Sequence, residues 1–172
     1  MFDMKRNLAR LSELLSVLKE IPPSQFSLET WIHGYSYKQL REFYYEEKDL
    51  IRKEKFLETK DIKEVIECGT VACAMGWAAL YEPFSNLGFR FKIIRHLDPC
   101  RGHIAFATLV YKDSESWGAV TDFFGLTLEE SFYLFDYNSY VDFNVEPTLL
   151  NVLLRMEAFL QEESGYSNRT NS

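Results

Sequence analysis

The chain has few cysteines and no long apolar run, and each absence excludes a class of protein. Three cysteines in 172 residues are an odd number at low density, so the disulfide scaffold of a small secreted domain is excluded and reduced thiols are expected. No segment has the roughly 20 consecutive apolar residues that span a bilayer. The N-terminal residues also lack the apolar stretch of a signal peptide. We therefore expect a cytoplasmic protein that makes no contact with membranes.

Positive charge is also scarce. The chain has 19 Lys and Arg against 26 Asp and Glu, which gives a net charge of −7 and a pI near 5.1. The densest basic group, Arg52, Lys53 and Lys55, lies among glutamates and aspartates, as on a solvated helix face. Because such a field repels a phosphate backbone, we expect no direct binding of nucleic acid.

Aromatic residues, in contrast, are abundant. The chain has 14 Phe, ten Tyr and three Trp, and 47% of its residues are hydrophobic, which is far more apolar material than a disordered segment carries. Its length fits one domain with one core. We expect a single globular domain over residues 1–164 and a flexible, polar C-terminal tail over residues 165–172.

Hydrophobic periodicity predicts the secondary structure. Leucines recur at helical spacing from Leu8 until Pro22 and Pro23 end the pattern, and Thr127 with Glu130 forms a capping box that opens a later helix. The predicted helices cover residues 8–21, 37–57, 62–66, 70–81, 117–124, 127–135 and 147–160. Alternating apolar and basic residues after Gly88 predict a β-hairpin over residues 88–112. The expected fold is α+β, predominantly α-helical, with a small antiparallel hairpin packed on a helical core.

The segment CGTVACAMGW, residues 68–77, allows three interpretations. The favoured one is structural: small residues such as Ala72 and Gly76 let a helix start pack closely, and Cys73 is a small buried hydrophobe among them. The second is catalytic, with Cys68 or Cys73 as a thiolate nucleophile activated by a helix N-terminus and His103 as its base. The third is a zinc site. Its ligands would be Cys68, Cys73, Cys100 and His103.

A second candidate site is a contact surface in the segment DYNSYVDFN, residues 136–144, and the residues just before it. The composition of tyrosines and carboxylates suits a protein interface, although the same tyrosines also suit the edge of a core. The candidate contact residues are Tyr133, Asp136, Tyr137, Tyr140 and Asp142. An exposed charged helix over residues 41–58 is a further candidate. A calcium loop is excluded because Val141 stands where the turn glycine is required.

Two motifs together resemble a known group of proteins. Cys68-Gly69-Thr70 followed by Cys73 and by Gly76-Trp77-Ala78, with a GLTLEE segment beginning at Gly125, is similar to small uncharacterised proteins of bacteriophages and bacteria that carry CGTxxCxxGWA and GLTxEE motifs. The likeness covers about a third of the chain. It implies a phage or mobile-element setting, in the cytoplasm of the host cell.

These observations favour a non-enzymatic binding protein. We expect it to bind and inhibit a host or defence protein, or to sequester a small ligand, without any cofactor. A cysteine-dependent hydrolase is the alternative and a zinc-stabilised interaction module is the third. The sequence specifies no oligomeric state.

Overall fold

Helices surround a small antiparallel sheet in the computed structural model, which describes residues 7–29, 32–33, 54–56, 71–98 and 102–169. The helices are α1 (Leu8–Lys19), α2 (Ala74–Leu80), α3 (Glu82–Asn86), α4 (Trp117–Phe124), α5 (Leu128–Phe135), α6 (Tyr137–Asp142) and α7 (Leu149–Arg169). The strands are β1 (Ile32–His33), β2 (Glu54–Phe56), β3 (Val71–Ala72), β4 (Arg90–Asp98), β5 (Gly102–Tyr111) and β6 (Ser114–Glu115). No helix in these ranges is both long enough and apolar enough to cross a membrane.

The predicted hairpin is the centre of the main sheet. Strands β4 and β5 pair antiparallel from Arg90 opposite Val110 to Asp98 opposite Gly102. Strand β2 pairs with the outer edge of β4, and β6 pairs with the end of β5, so the order is β2-β4-β5-β6. The short strands β1 and β3 form a separate antiparallel pair. The fold is therefore α+β and predominantly helical, as the sequence predicts.

One apolar core joins the hairpin to the helices. At the start of the hairpin, the side chains of Phe89 and Phe91 point into this core. Successive side chains of a strand point to opposite faces, so residues two positions apart lie on the same face. Phe89 stacks on Phe123 of α4 with ring centroids 4.5 Å apart, and Phe84 meets the edge of Phe123 at 5.1 Å. Each such ring, fully buried, contributes roughly 2–3 kcal/mol to the free energy of unfolding.

Local signals fix the ends of several helices. The side chain of Asn7 accepts the Arg10 amide and caps α1. The predicted capping box at the start of α5 is confirmed, because the Thr127 hydroxyl accepts the Glu130 amide while the Glu130 carboxylate accepts the Thr127 amide. Gly125 ends α4 at a φ of 65°, a left-handed conformation that glycine adopts without strain.

The helix predicted over residues 70–81 is shorter than expected. Val71 and Ala72 form strand β3, and the helix begins at Ala74 after Cys73 as its N-cap. The prediction was wrong at this end because strand pairing with β1 satisfies the backbone there, which no local pattern indicates. Pro83 lies in the first turn of α3, where its missing N–H costs nothing.

Three further boundaries differ from the sequence predictions. Residues 54–56, expected within an exposed helix over 41–58, form strand β2, because the edge of β4 offers unpaired backbone groups. The expected loop 136–144 contains α6, which Asp136 caps through the Ser139 amide. The last helix begins at Leu149, two residues after Pro147. The rest of the helical region predicted over 37–57 and the helix predicted over 62–66 lie outside the described residues.

The last helix also continues past the predicted end of the domain. Helical backbone extends through Arg169, so residues 165–169 of the expected flexible tail belong to α7. The apolar face of α7 packs on the core through Leu149, Val152 and Met156, all buried. The same helix also contacts α1 and α5.

Candidate functional site

Cys73 lies in the interior and forms the N-cap of α2. Its Sγ accepts the amide of Gly76 at 3.4 Å, and the residue is almost completely buried. Burial raises the pKa of the Cys73 thiol to about 11, which outweighs the opposing effect of the backbone amides at the helix start. A thiol with this pKa is protonated near neutral pH, so Cys73 lacks the property that the catalytic interpretation requires of it.

The rest of the cysteine motif holds the interior together. Ala72 and all residues of α2 are buried. The Trp77 indole donates to the Gln25 carbonyl at 3.1 Å, and the Ser27 amide donates to the Ala72 carbonyl at 3.2 Å. These bonds tie the segment after α1 to the start of α2. The buried Cys73 expected from the structural interpretation is confirmed.

The alternative catalytic and zinc sites depend largely on other residues. Cys68 and Cys100 lie outside the described residues, and His103 is described as a backbone position of β5 opposite Leu97. Within the ranges that the structure describes, no three side chains of His, Cys, Asp or Glu come together as metal ligands. The catalytic and zinc interpretations therefore stay sequence predictions.

The five predicted contact residues do not share one environment. Tyr140 is fully buried, and its hydroxyl donates to the Leu134 carbonyl at 2.7 Å. Burial raises the pKa of Tyr140 above its ordinary value, an effect that the nearby Arg155 charge partly offsets. Placing Tyr140 on a contact surface was wrong, because a ring of this size gains more from the core once its hydroxyl has an acceptor. Tyr137 is half-buried against the core.

The remaining three predicted residues are at the surface or near it. Tyr133 is 43% exposed on α5, Asp142 is exposed at the end of α6, and Asp136 is half-buried as the N-cap between them. The candidate helix over 41–58 lies outside the described residues apart from strand β2.

Arg155 of α7 organises the segment around these residues. Its guanidinium lies 3.6 Å from the ring centroid of Tyr140, 4.7 Å from that of Tyr133 and 5.8 Å from that of Phe143. The same group donates to the carbonyl of Tyr133 at 2.6 Å and to the hydroxyl and carbonyl of Ser139. One side chain therefore joins α5, α6 and α7, and we call it and the three rings the Arg155 cluster.

Exposed apolar side chains concentrate in the stretch of sequence that contains this cluster. Among the side chains that the structure describes, eight large hydrophobic residues are exposed, and seven of them fall between residues 128 and 154. We call these seven the C-terminal surface. Its members are Leu128, Phe132, Tyr133, Val141, Phe143, Leu150 and Leu154. Phe143 and Leu150 are the most exposed, at 66% and 64%.

The net charge of the protein concentrates in the same part of the chain. Residues 126–163 contain eight acidic residues and a single basic residue, Arg155, which amounts to a net charge of −7. The remaining residues contain 18 acidic and 18 basic residues and are balanced. The exposed apolar residues of the C-terminal surface and the excess of carboxylates therefore fall in the same stretch of the sequence.

The sequence interpretation missed the most exposed members of this surface. Leu150 and Leu154 stand one helical turn apart on α7, on a different side from the buried Leu149, Val152 and Met156. The apolar residues of α7 cover more of the helix surface than packing on the core requires, and this pattern could have identified Leu150 and Leu154. No such signal existed for Phe143 or for Arg155, because their importance depends on how three helices meet.

Comparisons with known proteins give no further information on this site. No protein-family model, no curated protein and no solved structure matches the chain.

Proposed function

We propose that this chain is a non-enzymatic binding protein whose C-terminal surface recognises another protein. The observation that carries the proposal is the concentration of seven exposed large hydrophobic residues within 27 residues of sequence, next to an otherwise well-packed core. Scattered exposed apolar residues are normal, whereas a concentration of them is typical of an interaction site. Aromatic residues such as Tyr133 and Phe143 are also enriched at interface centres.

Charge restricts the class of partner. Residues 126–163 contain eight carboxylates, and the one basic residue there already bonds within the protein. A complementary partner therefore presents lysines and arginines around an apolar recess. Such complementarity accelerates association and excludes acidic partners.

The Arg155 cluster supports the proposal by its rigidity. Tyr133 and Phe143 flank a guanidinium that is fixed by bonds to Tyr133 and Ser139. Their rings therefore lose little freedom when a partner covers them, and pre-organisation of this kind increases affinity without new contacts.

The setting of the proposal comes from the sequence motifs. The resemblance of the Cys68–Ala78 segment and the GLTLEE segment to phage and bacterial proteins supports a host or defence protein as the partner, bound in the host cytoplasm. Binding would inhibit the partner if this chain covers the basic surface through which the partner binds its own ligands.

The test is affinity capture from host lysate with matched variants, followed by titration of the purified partner. We expect Phe143→Ser/Leu154→Ser to lose a partner that the wild type captures saturably, and to bind it at least about tenfold more weakly. Both side chains are exposed, so the variant should keep the circular dichroism spectrum and melting temperature of the wild type. Equal capture by the variant, or no saturable partner for the wild type, would overturn the proposal.

A second pair of variants tests the charge argument. Glu129→Gln/Asp142→Asn removes two exposed carboxylates beside the C-terminal surface, and Glu20→Gln/Glu29→Gln removes two exposed carboxylates elsewhere. We expect the first pair to slow association with the partner and to weaken its salt dependence, while the control pair leaves both near the wild type. Equal effects of the two pairs would show that net charge, and not this surface, governs binding. Sedimentation of the free protein as a dimer would assign the surface to a second copy of the chain.

A further inference from the structure

A groove of about 510 Å³ lies on the opposite face of the sheet from the core, where β4 begins and β5 ends. Its lining includes Leu87, Arg90, Lys92, Val110, Lys112 and Glu115. The volume falls within the range of small-molecule sites, roughly 300–1,000 Å³. Nothing in the proposed function uses this groove, so its role is a separate question.

The strand register builds the floor of the groove. Arg90 of β4 is opposite Val110 of β5, and Val110 is opposite Glu115 of β6, so the three residues form one row across three strands. Val110 is buried between the two charged neighbours. The turn from β5 to β6 contributes Lys112, whose φ of 51° is in the left-handed region. The groove is therefore apolar at its floor and charged along its sides.

Lys92 is fixed within this arrangement. Its Nζ lies 2.8 Å from a carboxylate oxygen of Glu115, and only 11% of its side chain is exposed. A lysine buried to this extent needs an opposite charge nearby, and Glu115 supplies it. Arg90 and Lys112 are the other positive groups that line the groove, and Asp113 is a negative group at the turn.

The groove collects positive charge in an acidic protein. Six basic side chains are described by the structure, and three of them, Arg90, Lys92 and Lys112, line the groove. The other three lie outside the groove. Arg10 donates to the Phe123 carbonyl, Lys19 pairs with Glu157, and Arg155 donates to the Tyr133 carbonyl. Three cations against Asp113 and Glu115 give the groove a net charge of about +1 at neutral pH.

We propose that this groove binds a small organic anion of low charge. Its carboxylate or phosphate group would contact Arg90 and Lys112, and its apolar part would pack on Val110 and the exposed Leu87. Arginine offers a planar pair of donors that fits either group, and lysine adds a point charge. Asp113 and Glu115 limit the site to small anions, because they would repel the successive phosphates of a nucleic acid.

The test is titration of the 15N-labelled full chain with three probes that share one ring: benzoate, phenyl phosphate and benzyl alcohol. We expect benzoate or phenyl phosphate to shift the amide signals of residues 87–92 and 110–115 saturably, with the tighter probe identifying the anionic group. Benzyl alcohol should give shifts that do not saturate. Absence of saturable shifts with either anion at about 10 mM, or equal shifts with benzyl alcohol, would overturn the proposal.

Variants tie the effect to the named charges. Arg90→Gln and Lys112→Asn should each raise the Kd for the tighter probe at least about fivefold, because each removes one charged contact. Asparagine tolerates the positive φ of position 112, so this second variant keeps the turn if Arg90→Gln perturbs the sheet. Lys19→Gln, which removes a positive charge outside the groove, should leave the Kd unchanged. An unchanged Kd in Lys112→Asn, or an equal rise in Lys19→Gln, would refute the assignment.

Discussion

The protein uses an arginine against aromatic rings in two regions, and the difference between them separates the interior from the surface. Arg10 lies 4.2 Å from the ring centroid of Phe123 and donates to the carbonyl of the same residue at 2.6 Å. Arg155 has the same pairing of ring contact and carbonyl bond with Tyr133. Phe123 is fully buried, whereas Tyr133 and its neighbour Phe143 are exposed.

An arginine packed against aromatic rings can therefore either complete a core or support an exposed surface. Around Arg10, buried rings join α1 to α4 and the hairpin, so removing any of them leaves a cavity. Around Arg155, only Tyr140 is enclosed, and the outer rings remain in water. Those outer rings add little to stability, which is why we assign them to binding.

The largest expected effect contrasts a ring from each region. Phe123→Ala should lower the free energy of unfolding by about 3–5 kcal/mol through lost burial and the cavity left behind. Phe143→Ala should change it by no more than about 0.5 kcal/mol, because 66% of that side chain is already exposed. Urea unfolding followed by fluorescence measures both. Similar losses of unfolding free energy in the two variants would show that the two regions do not differ in their contribution to stability.

A second prediction concerns the interior thiol. Because the folded-state pKa of Cys73 is raised from 9.0 to about 11, the unfolded chain loses this proton first as the pH rises. The contribution to stability is fully present below pH 9 and disappears as the pH rises toward 11, a loss of roughly 2–3 kcal/mol. Cys73→Ser, which replaces the N-cap sulfur with a hydroxyl oxygen, should show a smaller loss over the same range.

The measurement for this prediction is urea unfolding of both proteins at pH 8 and at about pH 10.5. Tyr140 also carries a raised pKa, so its contribution is present in both proteins and cancels in their difference. A second readout is iodoacetamide labelling, in which the native Cys73 should stay protected until denaturant is added. Rapid labelling of Cys73 near pH 6 would instead support the catalytic interpretation.

A third prediction sharpens the contrast between the two arginines. Arg155→Met and Arg10→Met should each lower the free energy of unfolding by about 1–3 kcal/mol, since each removes charged bonds to backbone carbonyls. Only Arg155→Met should shift the NMR signals of the Tyr133 and Phe143 rings and weaken the binding of the captured partner. Arg155→Lys should recover little, because lysine has no planar fork. Loss of partner binding in Arg10→Met at equal stability would contradict the division into two regions.

The smallest expected effect is at the start of α5, which carries Phe132 and Tyr133 of the C-terminal surface. Thr127→Ala should destabilise the protein by about 1 kcal/mol, because the Glu130 amide loses its acceptor. Thr127→Ser keeps the hydroxyl and serves as the control. Thermal unfolding of the three proteins distinguishes them. An unchanged melting temperature in Thr127→Ala would show that packing alone fixes this helix end.

Elements with strong local signals were predictable. The first helix, the hairpin and the capping box at Thr127 follow from periodicity or from residues that lie close together in sequence. Helix α6 was not predicted, because its short sequence has no apolar period and depends on Asp136 as its cap. Strand β2 was predicted as helix, since only the edge of β4 makes those residues extended.

The candidate sites were less predictable than the fold. The segment of residues 136–144 was identified by its tyrosines and carboxylates, yet Tyr140 is internal, and the most exposed ring, Phe143, was not among the predicted contact residues. The groove was not anticipated, because Arg90, Val110 and Glu115 are separated in sequence and meet only through strand register. The sequence also contained no signal that Lys92 of the hairpin is held against Glu115 with little exposure.

The sequence by itself determined the fold class, the hairpin, the buried character of Cys73 and the excess of carboxylates in residues 126–163, because composition, period and capping act over a few neighbouring residues. Only the tertiary structure decided which tyrosines are internal, that Arg155 joins three helices, and that three cations share one groove. Those properties depend on which surfaces meet, and the burial and long-range bonds that result override local preference.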